Sequence, residues 1–375
     1  MSRGRLSIWA PLRPGAYLRR PVSELPFPLE EPGCRLYEFA RQRLFNGLEV
    51  LGLGPGDEVL VPAYNHGSEV EVLSRAGVTC RFFDSSEDLA PDEHVLERLL
   101  GPSTRALYLI HHLGFPQAAP RWRRWCDERG LLLIEDVAMA WLARLDGRPL
   151  GSWGDLAIFS PWKTYGLPDL GAVLCDPAPE PMPLRRRRAR GLLRGHAAWL
   201  AGRSGLAAST RRLRRPPEPF SPEVAFAVGN SRQGASAISY QLLRRLHSSD
   251  TAAVRRANYG RLLEAVGEHV PPPFDALPEG ACPFALPVWT EDKPAFIAEL
   301  RSNAIAGLDI WSVPHPAFPA EEYPRAAARR ASTVGLPVHQ ELGEADIERI
   351  AETASTFLAA RPERPPGVSL VGGAR

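Results

Sequence analysis

"GLLLIEDVAMA" (130–140) and, a little further on, "GDLAIFSPWKTYGLPDLGAVL" (154–174) carry the pattern that decides the fold. Leu131 to Ile134 are a short apolar run opened by Gly130 and closed by Glu135 and Asp136. A run of that length predicts a buried strand over 131–136. "GDLAIFS" (154–160) and "GAVLCD" (171–176) predict two more strands. Asp136 then ends one strand, Ser160 ends the next, and Lys163 stands at the start of the following loop. In doubly wound sheets, sites lie at the carboxyl ends of strands.

Working outward, the alternation continues. Leu36, Phe39, Ala40, Leu44, Leu48 and Leu51 recur near a 3.6 period and predict a helix over 35–53. Strands are predicted over 58–61, 78–83 and 105–112, with helices over 69–76, 94–100 and 121–129. Strands alternating with helices predict an α/β fold, with a mostly parallel central sheet and helices on both faces. His66 and His111 fall at strand ends beside Asp136, Ser160 and Lys163. Toward the C-terminus, helices are predicted over 222–246 and 252–266, and "PPP" (271–273) punctuates the chain. A strand over 283–289 and helices over 293–303 and 344–358 read as a smaller α/β domain. The expected division is an extended N-terminal arm (1–33), a large domain (34–250) with an Arg-rich insertion (184–215), a small C-terminal domain (251–362) and a flexible tail (363–375).

Composition excludes several classes. Apolar residues make up 44% and charged residues 23%, ordinary for a globular protein, and the net charge of +2 gives no global preference for nucleic acid. No apolar run approaches the ~20 residues needed to span a bilayer. Arg3 and Arg5 are followed by no apolar core, so no secretory leader is expected, and the five scattered cysteines form no C-x-x-C pair. A reducing cytoplasm is the expected compartment, with no metal site. The 184–215 segment holds eleven arginines. It reads as a solvated helix pair, as a basic rim for a nucleotide diphosphate, or as a peripheral contact with an anionic membrane through "GLLRGHAAWLAG" (191–202). No stacking platform is interleaved with it, so nucleic acid is not an expected partner.

Lys163 is notable because arginine serves almost everywhere else; the one other lysine is Lys293. A pyridoxal phosphate (PLP) enzyme needs a Schiff-base lysine, a carboxylate for the pyridine nitrogen, a flat side chain over the ring, and donors for the phosphate. Asp136, Lys163 and Ser160 have the right types at the right strand ends. Ser160 and Lys163 also spell S-x-x-K, the spacing of a serine acyl enzyme. That reading expects the serine at a helix start, whereas Ser160 ends a strand before Pro161, and S-D-N and K-T-G elements are absent.

Seven segments, in order over positions 35–355, resemble the DegT/StrS-type sugar aminotransferases. They are "LGLGPGDEVLVPAY" (51–64), "AGVTCRFFD" (76–84), "IHHLGFPQ" (110–117), "GLLLIEDVAMA" (130–140), "GDLAIFSPWKTYGLPDLGAVL" (154–174), "GNSRQGASAISYQLLRRL" (229–246) and "VGLPVHQELGEADIERI" (334–350). The resemblance implies PLP-dependent transferase fold type I and ping-pong transamination from an amino acid, L-glutamate, to a nucleotide-linked keto-sugar. An alternative keeps PLP with another reaction or a non-sugar acceptor; a third reading is a non-catalytic binding partner. The resemblance implies that Lys163 carries the Schiff base, Asp136 pairs with the pyridine nitrogen, Ser160 binds the phosphate and His66 covers the ring. It implies that Asn230 reaches the phosphate of the neighbouring subunit, hence a homodimer with shared active sites. Four places depart from the family pattern, one of them a serine–lysine segment about two residues shorter than the common form. Phe39-Ala40-Arg41 replace the usual Ser-Gly-Thr, with Arg41 able to supply an ion pair to the phosphate. Met139 stands where a glutamine or histidine faces the ring hydroxyl. Pro168-Asp169-Leu170-Gly171 replaces Gly-Asp-Gly-Gly.

Overall fold

The computed structural model describes residues 4–186 and 233–361, with the backbone alone at 40–43. Strands β1 (Cys34–Tyr37), β2 (Glu58–Pro62), β3 (Thr79–Phe83), β4 (Thr104–Ile110) and β5 (Leu132–Val137) come first along the chain. A small antiparallel hairpin follows, β6 (Arg144–Leu145) and β7 (Arg148–Pro149), then β8 (Leu156–Phe159) and β9 (Gly171–Cys175). Outside the hairpin these make one sheet in the order β1-β9-β8-β5-β4-β2-β3. From β3 to β8 every pairing is parallel; β9 runs antiparallel to β8, and β1 to β9. The expected, mostly parallel sheet is therefore present, with its exceptions at one edge.

The reason lies in the burial of both faces. Tyr108, Ile110 and Ile134 join the main core cluster on one face. Leu107, Leu109 and Leu133 pack on the other with Trp122 and Trp125. Strands covered on both sides read as near-continuous apolar runs, which is why the periodicity located them. The helices between them are α1 (Ala40–Val50), α2 (Ser68–Arg75), α3 (Glu93–Leu99), α4 (Ala119–Asp127) and the short α5 (Pro161–Tyr165). After the undescribed segment come α6 (Ala237–Leu246) and α7 (Thr251–Val266).

One expectation fails here. Residues 35–37, predicted helical, are strand β1, paired with Gly171–Val173 of β9. Leu36 happens to extend the apolar period of α1, but the open edge of β9 takes these residues instead; tertiary pairing overrides a short local pattern. Only 237–246 of the helix expected over 222–246 lies in described helix, and Ser236 caps it by accepting from Ser239 N–H.

The C-terminal part holds β10 (Ala285–Trp289), α8 (Lys293–Ser302), β11 (Leu308–Asp309), α9 (Pro324–Ser332), β12 (Thr333–Pro337) and α10 (Glu344–Ala359). Its sheet is antiparallel, in the order β10-β12-β11. The apolar pattern did not reveal α9 or β12. Leu286, Val288, Leu336 and Tyr259 share one core cluster with Tyr108 and Ile110, so this part closes over the same sheet face. Leu6 of the N-terminal arm exchanges backbone hydrogen bonds with Ala304 and Ala306 at 2.9 Å each.

Candidate active site

Strands β5 and β8 are neighbours, and Asp136 lies in register with Ile158. Successive side chains of a strand alternate in face. Ile134 and Ile158 sit in the main core cluster, so Asp136 and Ser160 belong to that face and Glu135 to the opposite one. The parallel register thus brings the two expected side chains to adjacent strand ends.

Asp136 is half-buried and holds two donors on different oxygens. Oδ2 accepts the Tyr108 phenol O–H at 2.8 Å, and Oδ1 accepts Ala138 N–H at 2.9 Å. Ser160 is fully buried, and its Oγ makes no hydrogen bond to any described residue. A buried hydroxyl without a partner is costly unless a ligand supplies one.

Lys163 was expected at a loop start. It lies instead in α5, with its backbone N–H on Ser160 O at 2.9 Å. Pro161 favours this helix because its fixed φ suits the first helical position. Ser160 is consequently the cap residue, the place that the acyl-enzyme reading requires of its serine. Such a nucleophile must be hydrogen-bonded to its base, and Ser160 Oγ is bonded to no described side chain. The far end of α5 is held tightly. Thr164 O accepts from Arg255 Nη2 (2.9 Å) and Gln340 Nε2 (3.1 Å). Gly166 closes the helix at φ +61°, and a Cβ there would stand 1.8 Å from Ala10 O, so the N-terminal arm passes directly against it.

His66 follows β2 and is half-buried. Its backbone N–H donates to Glu69 Oε1 (2.8 Å), its Nδ1 lies 3.0 Å from Ser68 Oγ, and the Trp311 ring meets it edge-on at 6.4 Å. Glu69 is buried. Burial, and then the charge of Asp136, push its carboxyl above the ordinary range against the pull of the His66 and Glu69 N–H groups. Glu69 is thereby electrostatically joined to the site.

His111 and His112 have structural surroundings. His111 Nδ1 accepts Gln117 N–H, so Nε2 carries the proton given to Glu135 Oε2 at 3.0 Å. His112 packs near Tyr64 (5.7 Å) and Trp311 (5.6 Å), and burial pushes its pKa down to about 3.

Ala40 and Arg41 open α1, but their side chains lie outside the described set. Asn230 and nearly all of 184–215 lie outside the described residues, as do 362–375. Phe39 meets the Trp162 ring edge-on at 6.2 Å, and Trp9 stacks on Trp162 at 6.4 Å. Phe39, the first of the three altered positions 39–41, is therefore an aromatic contact of Trp162, the chain neighbour of Lys163. Met139 packs against the main core, and the fully buried Asp169 accepts Ser236 Oγ at 2.8 Å. Sequence reasoning missed Tyr108 and Glu69. Tyr108 looked like one more aromatic in an apolar strand, and Glu69 like a helix-start acid. Among the described residues, no cluster of three or more His, Cys, Asp and Glu side chains could hold a metal ion, and no helix is long and apolar enough to cross a membrane.

Residues 42–192 match the model of the DegT/DnrJ/EryC1/StrS aminotransferase family. The chain thus carries a domain of this aminotransferase family. It is 26% identical over 319 residues, 82% of this chain and 80% of the relative, to the dTDP-4-dehydro-2,3,6-trideoxy-D-glucose 4-aminotransferase of Saccharopolyspora spinosa. It is 37% identical over 131 residues to the dTDP-3-amino-3,4,6-trideoxy-alpha-D-glucose transaminase of Streptomyces venezuelae, which covers 34% of this chain and 35% of that one. Its fold is similar to that of Streptomyces venezuelae DesV, solved with a ketimine intermediate, with a TM-score of 0.63 at 24% identity over 86% and 84% of the two chains. It is also similar to that of Spr1654 from Streptococcus pneumoniae, solved with PMP, with a TM-score of 0.64 at 19% identity over 87% and 88%. The cofactor of this family is PLP, and the residues present fit it. Ser160 Oγ, without a hydrogen-bond partner among the described residues, immediately precedes the helix that carries Lys163, and the half-buried Asp136 carboxylate, each oxygen with one donor and room for another, stands at the end of the adjacent strand.

Proposed function

We propose that this chain moves an amino group from an amino acid, L-glutamate, to a keto-sugar carried on a nucleotide, in a ping-pong reaction. The S. spinosa and S. venezuelae relatives are named for dTDP-linked sugars, which supports that acceptor class. The observation carrying the reading is the placement of Asp136 and Ser160 at adjacent parallel strand ends, with Lys163 one helical turn beyond.

When bound, PLP supplies an aldehyde that condenses with amines and a ring that withdraws electron pairs. The chain's own residues do the rest. Asp136 holds a proton at the ring nitrogen with the oxygen lone pairs that Tyr108 and Ala138 leave over. Ser160 Oγ, the first N–H groups of α1 and the Arg41 side chain take the phosphate, where helix-end N–H groups favour an anion. His66 covers one ring face and excludes water from it. Lys163 Nζ binds the cofactor, and once released it carries the proton to and from the reacting carbon. The hold of Arg255 and Gln340 on Thr164 keeps that amine within reach. Asn230 of a second copy completes the phosphate site, which makes the working unit a homodimer with shared sites, in the cytoplasm. Residues 34–250 form the cofactor-binding body and 251–362 the smaller domain.

A second reading keeps PLP but replaces the sugar acceptor or the reaction. It is favoured by the Phe39–Trp162–Trp9 aromatic cluster, with Phe39 where the family has a hydroxyl. One experiment tests both. Visible spectra of the PLP-loaded protein are recorded before and after L-glutamate, beside Lys163→Ala, and the aminated form is then offered dTDP- and UDP-linked keto-sugars. Bleaching by glutamate and recovery with a nucleotide keto-sugar, in wild type alone, is the expected result. Bleaching without recovery on any such sugar would favour the second reading. No response to any amino donor would overturn both.

A further inference from the structure

We infer that Tyr108 is a positioning residue for this reaction: its phenol O–H fixes the rotation of the Asp136 carboxylate and so aims one oxygen at the cofactor's ring nitrogen. The inference rests on the role given to Asp136 above and extends it to a residue on another strand.

The terminal torsion of an aspartate is broad, so a carboxylate at a strand end turns easily unless held. Asp136 is held at both oxygens, by Tyr108 Oη–H on Oδ2 (2.8 Å) and Ala138 N–H on Oδ1 (2.9 Å). Two donors on two oxygens fix the carboxylate plane. They also leave lone pairs for one further donor, since an ionised carboxylate has about four acceptor sites. Tyr108 is fully buried and lies in register with Ile134 of β5, on the face shared by Asp136. Its ring therefore spans the two residues along the strand direction that separate it from the carboxylate.

The choice of partner is informative. Of other buried or half-buried tyrosines, Tyr259 donates to Phe274 O and Tyr323 to Phe82 O, while the Tyr165 hydroxyl pairs with His247 Nδ1 and Thr251 Oγ1. Tyr108 alone among these four gives its proton to a carboxylate at the site. A phenol donating to a carboxylate is roughly twice as strong a contact as a neutral pair. Burial and the Asp136 charge also hold the phenol well above its ordinary titration range, so it stays a donor at any working pH.

The test is Tyr108→Phe, made in wild type and in Asp136→Asn. Three quantities are read: the PLP dissociation constant, the pH midpoint of the visible band of the lysine-bound cofactor, and the melting temperature of the cofactor-free protein. In the wild-type background, the dissociation constant should rise about tenfold, the scale of one hydrogen bond to a charged group. The midpoint should move upward, because a less firmly protonated ring draws less charge from the lysine nitrogen. In Asp136→Asn, removing the phenol should change neither quantity further. Folded Tyr108→Phe with an unchanged dissociation constant and midpoint would overturn the inference, as would equal effects in both backgrounds. If Tyr108→Phe does not fold, 3-fluorotyrosine at position 108 keeps the shape and strengthens the donor; an unmoved midpoint there would overturn the inference as well. Wild type with no visible band would overturn the cofactor role of Asp136 itself, and this inference with it.

Discussion

Glu135 and Asp136 are neighbours on one strand, both acids, yet the protein treats them oppositely. Glu135 is fully buried and faces four donors: His111 Nε2 (3.0 Å) and the N–H groups of Gly151 (3.0 Å), Trp153 (2.8 Å) and Gly154 (2.5 Å). Its acceptor capacity is filled by the protein. Asp136, on the other face, is half-buried with two donors and room for more. A buried acid saturated by its own fold organises that fold, here the turn between β7 and β8. An acid left under-satisfied at a strand end is available for chemistry. The lesson applies to histidines too: His111 serves Glu135, while His66 stands at the open face.

The comparison can be broken in four ways, from the largest effect to the smallest. Lys163→Ala removes the proposed proton carrier and should lower amino transfer by ~10³-fold or more while leaving unfolding by denaturant unchanged; substantial transfer in a glutamate half-reaction assay would sink the assignment. Glu135→Gln should do the reverse. The amide keeps one oxygen, so its NH2 would confront two donors, either the Trp153 and Gly154 N–H groups or the Gly151 N–H and His111 Nε2–H, at a cost of about 3 kcal/mol in urea unfolding. Turnover per folded molecule should hardly move; a large loss of turnover with intact stability would reverse the roles drawn here.

The third concerns acid. Burial pushes the Glu135 carboxyl upward, but the His111 contact and the Trp153 and Gly151 N–H groups outweigh it and leave it below its ordinary 4.5. A group depressed in the folded state takes up its proton first in the unfolded chain. Its stabilisation is therefore complete above about pH 4.5 and is lost as pH falls through the lower folded value. Melting curves of wild type should steepen their decline below pH 4.5, and Glu135→Gln should be flatter there; parallel curves would remove Glu135 from the account. The smallest effect is expected of Ser160→Ala. The hydroxyl makes no hydrogen bond to a described residue, so its loss should leave cofactor-free stability unchanged or up to ~1 kcal/mol higher. PLP binding should still weaken about tenfold. A clear loss of cofactor-free stability would show that the hydroxyl is structural.

Much of this was legible in the sequence because burial on both faces writes itself as apolar runs. Strands β2 to β5, β8 and β9 were found that way, and with them the positions of Asp136, Ser160 and Lys163 at strand ends. The misreadings have particular causes. Leu36 fits a helical period by coincidence, while the edge of β9 decides its pairing. Lys163 looked like a loop residue because a five-residue helix leaves no periodicity to detect. Tyr108 was invisible as a polar residue, since a tyrosine inside "RALYLIHH" reads as core until its hydroxyl has a partner.

The sequence by itself determined the α/β class, the strand ends that carry Asp136, Ser160 and Lys163, and the family likeness that joins them in one reaction. These follow from local patterns of burial and from residue type at short spacing. Only the tertiary structure decided that β9 runs against the rest of the sheet with β1 paired antiparallel to it, that Tyr108 donates to Asp136, and that Arg255 and Gln340 hold the helix of Lys163. It also decided that Glu135 is satisfied where Asp136 is not. Each of those depends on contacts between residues from about 13 to more than 170 positions apart, and such contacts are fixed by strand register and packing, which no local window of sequence contains.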